Sequence, residues 1–483
     1  MDIFSIAFSA MMIINIVIAV TIIFLERKDS SATLAWLVVL FMLPVIGLLF
    51  YITFSQNIAR RRIFKMTEAE EKFATTALKK QIKSVENGEF EFKSEKITRW
   101  NDLIRLNQVY GRAYYTFDNK IDIITDGKEK FGSLLNDIEN AKDSINIEYF
   151  IIKDDKVGKK LLKALIKKAK EGIDIKLLVD ALGSRNLSGD LIEELKRAGG
   201  KFESFFPTKL PFATRELNYR NHRKIVVIDD NISYVGGFNI AKEYLGLKKK
   251  FGYWRDTHLR IEGGATQDLN SRLLLDWRFA SKNRCPFDLN NVFFPITDVV
   301  GNSGVQIVSS GPDLEHEEIK RAFLKMITGA RKRIYIQTPY FVPDATILEG
   351  LKMASQSGVD VRVMIPNKPD HMFVYWATMS YVAELMKSGA RVFIYDNGFL
   401  HAKTMTVDGE VATVGSANFD RRSFRLNFET NAFIFDEKVT EKLERVFEDD
   451  IFLSKELTEA EYKSRRTLIK IKEPIARLLS DIL

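Results

Sequence analysis

His222-Arg-Lys224-Ile-Val-Val-Ile-Asp229 is followed, after six intervening residues, by Gly236-Gly237-Phe238-Asn239. The same string returns as His401-Ala-Lys403-Thr-Met-Thr-Val-Asp408, then Gly415-Ser416-Ala417-Asn418. In each copy His and Lys stand two apart in a β-branched run, so on a strand both side chains point to one face. The residues between Lys and Asp continue that strand into a turn. The small pair Gly236-Gly237 or Gly415-Ser416 lets the backbone approach a ligand, and the Asn three positions on offers an amide donor. One such string fits a surface hairpin holding a buried histidine. Two with identical internal spacing point to a chain of two matched halves.

Working outward, the rest of the repeat is legible. Ser144-Ile-Asn-Ile-Glu148-Tyr149-Phe150 parallels Arg333-Ile-Tyr-Ile-Gln337-Thr-Pro-Tyr340-Phe341. Gly172-Ile-Asp-Ile-Lys-Leu-Leu-Val179 parallels Gly358-Val-Asp-Val-Arg-Val-Met-Ile365, and Ala198-Gly199-Gly-Lys-Phe202 parallels Ser388-Gly389-Ala-Arg-Val-Phe393. Between the first two landmarks Val157, Leu161, Leu162, Leu165 and Ala169 share one helical face, with Lys159, Lys160, Lys163, Lys167 and Lys170 away from it. β-Branched runs alternating with such helices predict an α/β fold in two similar halves.

The first 55 residues are of another kind. Ile3 to Leu25 and Ser31 to Phe54 carry no charge, and at 1.5 Å per residue each would span roughly 35 Å, enough for a hydrocarbon core. With only Glu26 to Ser30 between them, a two-helix transmembrane hairpin is expected. A cleaved signal peptide fits less well, because a basic first segment and a small-x-small cleavage site are missing. Arg60, Arg61, Arg62 and Lys65 after the second span place the catalytic region on the cytoplasmic side of the membrane. One cysteine, Cys285, excludes an internal disulfide and suits a reducing compartment. The net charge of +8 and sequence pI near 9.1 favour anionic partners.

Paired His-Lys-Asn sets suit displacement at a phosphodiester. That reaction needs charge stabilisation on the non-bridging oxygens, a nucleophile, and a proton for the leaving oxygen. His222, Lys224, Asp229, His401, Lys403 and Asp408 are the catalytic candidates, and Asn239 and Asn418 the phosphate-binding ones. Trp254-Arg255-Asp256 and Phe428-Glu429 each lead into an apolar strand, so Asp256 and Glu429 are candidates to orient the imidazoles. His258, His316 and His371 lack such a setting and read as structural or surface residues. No ligand cluster for a metal is evident, and no cofactor is expected.

These strings resemble the phospholipase D superfamily and, within it, the bacterial cardiolipin synthases. Supporting features are Ser31-Ala-Thr-Leu-Ala-Trp36, Leu43-Pro-Val-Ile-Gly47, Asn221 before His222, Asn418-Phe-Asp420-Arg421-Arg-Ser423 and Glu473-Pro-Ile-Ala-Arg477-Leu-Leu-Ser480. Gly237 departs from the serine common in the superfamily. The resemblance implies two phospholipase D-like α/β halves forming one shared active site. It also implies transfer of a phosphatidyl group between phosphatidylglycerol molecules through a phosphohistidine, giving cardiolipin and glycerol. The partners would be phosphatidylglycerol and cardiolipin in an anionic membrane, not nucleic acid. The competing readings are hydrolysis by the same residues, a membrane-tethered nuclease, and a non-enzymatic membrane scaffold with a decayed site, against which stands the presence of both His, both Lys and both Asn. The expected organisation is a transmembrane hairpin (1–55), a charged tether (56–105), a first half (106–290), a second half (291–460) and an amphipathic tail (461–483).

Overall fold

A computed structural model describes residues 3–23, 30–45, 47–48, 51, 63–64, 66–207, 218–282, 300–314, 316–368 and 370–478. Cys285 and the Arg60, Arg61, Arg62 and Lys65 cluster lie outside the described residues. The chain divides into two compact units, residues 1–61 with 208–219, and residues 62–207 with 220–483.

In the first unit the helices Ile3–Thr21 and Ser30–Met42 form. Ile22, Leu40 and Tyr51 are buried together, with Ile18 and Trp36 packed on them. The buried Asn15 amide donates at 3.2 Å to the carbonyls of Leu40 and Pro44. Among the described residues no helix is long and apolar enough to cross a membrane. The span expected from Ser31 to Phe54 is not one continuous helix: its first part ends at Met42, and Leu43 bends before Pro44. Proline disfavours helical geometry in the residue before it, and the Asn15 amide takes up carbonyls at this break.

The second unit is built on one large sheet, with two further sheets of two short strands each. Its first half supplies β1 (Thr116–Ile124), β2 (Ser144–Tyr149), β3 (Asp174–Asp180), β4 (Lys201–Phe205), β5 (Arg220–Asn221), β6 (Lys224–Ile228), β7 (Ile232–Gly236), β8 (Trp254–Arg255) and β9 (His258–Glu262). Its second half supplies β10 (Ser303–Ser310), β11 (Arg333–Gln337), β12 (Phe341–Val342), β13 (Asp360–Pro366), β14 (Arg391–Tyr395), β15 (Phe399–Leu400), β16 (Thr404–Val407), β17 (Val411–Gly415), β18 (Phe419–Asp420), β19 (Asn427–Phe435) and β20 (Ser454–Glu456). The first half runs β4-β3-β2-β6-β7-β9-β1, and the second continues β10-β19-β17-β16-β11-β13-β14-β20. Apart from β20 the second order is the first reversed, with β1 and β10 paired antiparallel at the junction.

Helices cover both faces. The helix Lys156–Lys170 buries Leu161, Leu162 and Leu165 completely, as its periodicity predicts, against Ile145, Ile147 and Val226. Each such leucine contributes about 1.5–3 kcal/mol of burial. Asp155 caps it by accepting from Val157 N at 2.9 Å, and Lys167, Lys168 and Lys170 lie at the opposite, carbonyl end. On the other face, Leu269 and Leu273 of the helix Ala265–Ala280 join Val439 and Leu443 of Glu437–Phe452 in one cluster that spans both halves.

The described part of the expected tether, from residue 63 onward, belongs to this unit. Thr67 and Glu70 form a capping box for the helix Glu68–Glu86. Gln81 is buried and holds both the N–H and the carbonyl of Tyr115. Ile97, Trp100, Leu103 and Ile104 belong to the core of the second half, beside Phe323 and Ile334. Ile97 lies on the short helix Glu95–Thr98 and Leu103 and Ile104 on Asn101–Val109, with Trp100 at the break between them, so no single helical period runs through the four in the sequence.

Candidate active site

Each H-x-K string reaches the site by the same local device. β5 pairs in parallel with the start of β19, and β15 with β8. The next residue in each case is the histidine: His222 N donates to Phe428 O at 2.9 Å, and His401 N to Arg255 O at 2.7 Å. The residue after each acceptor is the carboxylate. His222 Nδ1 therefore lies 3.0 Å from both oxygens of Glu429, and His401 Nδ1 lies 2.6 Å from Asp256 Oδ2. Each histidine is served by the carboxylate of the opposite half.

The lysines stand on the face their spacing predicts. Lys224 Nζ donates to His222 O and Lys403 Nζ to His401 O, each at 2.5 Å. Lys403 Nζ is also 3.0 Å from His401 Nδ1. Phe150 stands edge-on to His222 with centroids 5.0 Å apart, and Trp254 lies 5.2 Å from His401. Glu429 and Asp256 are fully buried, while the two imidazoles keep 12% and 10% of their surface exposed.

That burial sets the protonation states. Loss of water pushes His222 down to about 4 despite the pull of Glu429. Burial, together with the charge of Lys403, lowers His401 as well. Burial brings Lys224 down to about 7 and Lys403 to about 8. For Glu429 burial pulls upward, but His222 and Lys224 outweigh it and hold the carboxyl below its usual range. The site is thus a cluster of cations with depressed basicity, receptive to an anion.

Asp229 and Asp408 are not at this site, a correction to their place among the catalytic candidates. They lie past the far ends of β6 and β16, with φ of 52° and 58° in the left-handed region that Asp tolerates. Asp229 accepts from the amides of Lys142, Asp143 and Ser144 at 2.8 to 2.9 Å. Asp408 accepts from Arg331, Lys332 and Arg333 at 2.7 to 2.9 Å, and also from Arg99. Both pin the turn onto the start of the neighbouring strand. The amides of Asn239 and Asn418 are engaged within their own halves, the first donating to Tyr244 Oη at 2.8 Å and the second to Asp420 at 3.2 Å.

Gly237 has a steric reason. A Cβ there would sit 2.0 Å from Asp256 Oδ1. In the other half Ser416 occupies the corresponding place, and its hydroxyl accepts from Thr430 N at 3.0 Å. In the first half Asp256 itself accepts from Thr257 N, at 2.7 Å.

Sequence reasoning missed Lys130. It is buried in the helix Gly127–Asn140, donates to Tyr149 Oη, and burial brings it down to about 7. Tyr149 stands opposite Lys224 across β2 and β6. His258, read as structural, is fully buried, and the charges of Lys130 and Lys224 add to the burial that lowers it. Among the described residues no group of three or more His, Cys, Asp or Glu is arranged to hold a metal.

Two half-sites on one sheet, each completing the other, define a phospholipase D-type protein. The solved phosphatidylserine synthase of Haemophilus influenzae Rd KW20 has the same fold, with a TM-score of 0.59 at 18% identity over 78% of this chain and 96% of that one. The family model described as "Cardiolipin synthase, PLD-like domain" matches residues 134–252 and 323–451, and "Phospholipase D-nuclease N-terminal" matches residues 13–56. The chain belongs to the phospholipase D-like cardiolipin synthase family. It is 50% identical over the full length of both chains to the major cardiolipin synthase ClsA of Bacillus subtilis (strain 168). It is 48% identical to a cardiolipin synthase of Staphylococcus aureus (strain Mu50 / ATCC 700699), over 98% of this chain and 95% of that one.

Proposed function

We propose that this chain is a phosphatidyltransferase that makes cardiolipin and glycerol from two phosphatidylglycerol molecules. The observation that carries the reading is the crossed pairing of His222 with Glu429 and of His401 with Asp256. It supports two imidazoles acting on one phosphorus, because each Nδ1 rests on a carboxylate and leaves Nε2 for the substrate. His222, neutral at physiological pH, attacks phosphorus. The N–P bond forms, the bond from phosphorus to the headgroup glycerol oxygen breaks, and His401 gives that oxygen its proton. His401 then takes the proton from a headgroup hydroxyl of the second phosphatidylglycerol, whose oxygen displaces His222. Lys224 and Lys403 hold the non-bridging oxygens, and Asn239 and Asn418 join them once their present hydrogen bonds are exchanged. One phosphodiester replaces another, so no nucleotide is consumed.

We further propose that the N-terminal hairpin inserts into the cell membrane, with the catalytic unit on the cytoplasmic side. Exposed Ile13, Ile16, Val17 and Val20 on one helix and Leu34, Val38 and Phe41 on the other support lipid contact. The deciding experiment incubates purified enzyme with headgroup-labelled phosphatidylglycerol. Cardiolipin with released labelled glycerol is the expected result; phosphatidic acid alone would make the chain a hydrolase. Protease added to intact cells should spare the region after Phe54, and cleavage there would invert the topology.

A further inference from the structure

The C-terminal helix Thr467–Leu478 has its apolar side outward. Its inward side is small and polar: Ala476 is 0% and Glu473 2% exposed. Glu473 accepts from Tyr462 Oη at 2.7 Å and from Arg465 at 3.0 Å. Lys472 lies 4.6 Å from the centre of the Trp376 ring, and Arg477 lies 4.5 Å from that of Tyr381. The outward side carries Leu468, Ile471, Ile475 and Leu478, which are 69%, 54%, 51% and 80% exposed. At about 100° per residue these four fall within roughly a quarter of the helix circumference, away from Ala476 and Glu473. A helix that buries its acid and exposes its leucines is built for a partner other than water.

The charge around the stripe identifies that partner. The only acid of the helix is the buried Glu473, whereas Lys470 and Lys472 are exposed. The groove at its base is lined by Lys463, Arg465 and Lys470, with Tyr462, Ser380, Pro474 and Glu473, the last paired with Arg465. An apolar stripe flanked by cations, with no exposed carboxylate on the helix, matches the headgroup and acyl boundary of an anionic bilayer.

Its position ties it to the site. Lys472 meets Trp376, and Arg477 meets Tyr381 and Glu384, so it runs alongside the helix Met372–Met386 in the same direction. That neighbour begins just after Asp370, which accepts from the Tyr340 hydroxyl and whose charge acts on His401 and Lys403. The start of the stripe therefore lies beside the helix end nearest the histidines.

We propose that Thr467–Leu478 is an interfacial helix that lays Leu468, Ile471, Ile475 and Leu478 into an anionic phospholipid surface. In doing so it sets the second unit down with its site toward the lipid. This rests on the reading that the substrate is a membrane lipid, and the test separates the two. Full-length chain carrying Cys285→Ser and Ile471→Cys, labelled with an environment-sensitive dye, is reconstituted into phosphatidylcholine vesicles with or without phosphatidylglycerol. The dye should move to an apolar setting, and be quenched by lipid-borne quencher, more strongly with phosphatidylglycerol. A dye that stays in water on phosphatidylglycerol vesicles overturns the proposal. So does shielding in detergent that grows with protein concentration, which would assign the stripe to a second copy of the chain. The pair Ile471→Ser and Ile475→Ser should lower turnover on vesicles roughly tenfold and leave turnover on detergent-dispersed phosphatidylglycerol unchanged; equal losses on both overturn it. If the unmodified chain transfers no phosphatidyl group, the assigned reaction fails, while the dye still reports on the helix.

Discussion

The two half-sites use one plan with the atoms redistributed. Around His222 the carboxylate is the longer Glu429, and Ser416 beside it satisfies the amide of Thr430. Around His401 the carboxylate is the shorter Asp256, lying directly on Gly237 and satisfying the amide of Thr257 itself. What one half builds from a serine and a glutamate, the other builds from a glycine and an aspartate. Gly237, which read as a departure from the superfamily pattern, is half of a compensated pair. Conserving the volume and the hydrogen bond is what keeps both imidazoles oriented.

The severest break in the comparison is loss of either imidazole. His222→Ala and His401→Ala should each lower turnover by about four orders of magnitude or more, since each ring acts in both half-reactions. Mass analysis of enzyme quenched in denaturant at mildly alkaline pH, where the N–P bond survives, should find the phosphatidyl adduct on His222 and not on His401; an adduct on His401 would exchange their roles.

Gly237→Ser should come next, with a loss of about a hundredfold as the new side chain drives Asp256 off His401. Ser416→Gly removes one hydrogen bond and should cost about tenfold or less. Gly237→Ser combined with Asp256→Glu rebuilds the other half's arrangement, and steady-state kinetics should show activity partly restored. If the double variant is as poor as the single one, the compensation idea fails.

The lysines give the next effect. His401, lowered by burial, loses the proton it gives first, and Lys224 and Lys403 lose their charge as pH rises through about 7 and about 8, so kcat/KM should fall progressively up to and across that window. His222 stays neutral down to about 4, which places the acid limb far lower. Lys224→Arg keeps the cation and should move the basic limb upward; a pH profile identical to that of the unaltered enzyme would remove Lys224 from the charge argument.

Lys130, held by Tyr149, acts on Asp256 through its charge, and Lys130→Met should shift activity about tenfold, the worth of one pK unit. Asp229→Ala and Asp408→Ala should hardly alter the per-molecule rate of folded enzyme. Each strands three backbone amides and should cost about 2–4 kcal/mol of stability, read by denaturant unfolding.

The sequence by itself determined the two halves, the strand faces carrying His and Lys, and the helix over Lys156–Lys170, because these follow from periods of 2 and 3.6 along a local stretch. It also singled out Asp256 and Glu429. Only the tertiary structure decided which carboxylate meets which histidine, since those contacts join residues 207 and 145 positions apart through the crossed β5–β19 and β8–β15 pairs. It likewise moved Asp229 and Asp408 from chemistry to turn-pinning, took Ile97 to Ile104 from tether to core, and brought in Lys130. Spacing fixes the direction of a side chain on its own strand. What that side chain meets is set by which strands and helices pack beside it, and this a local pattern does not encode.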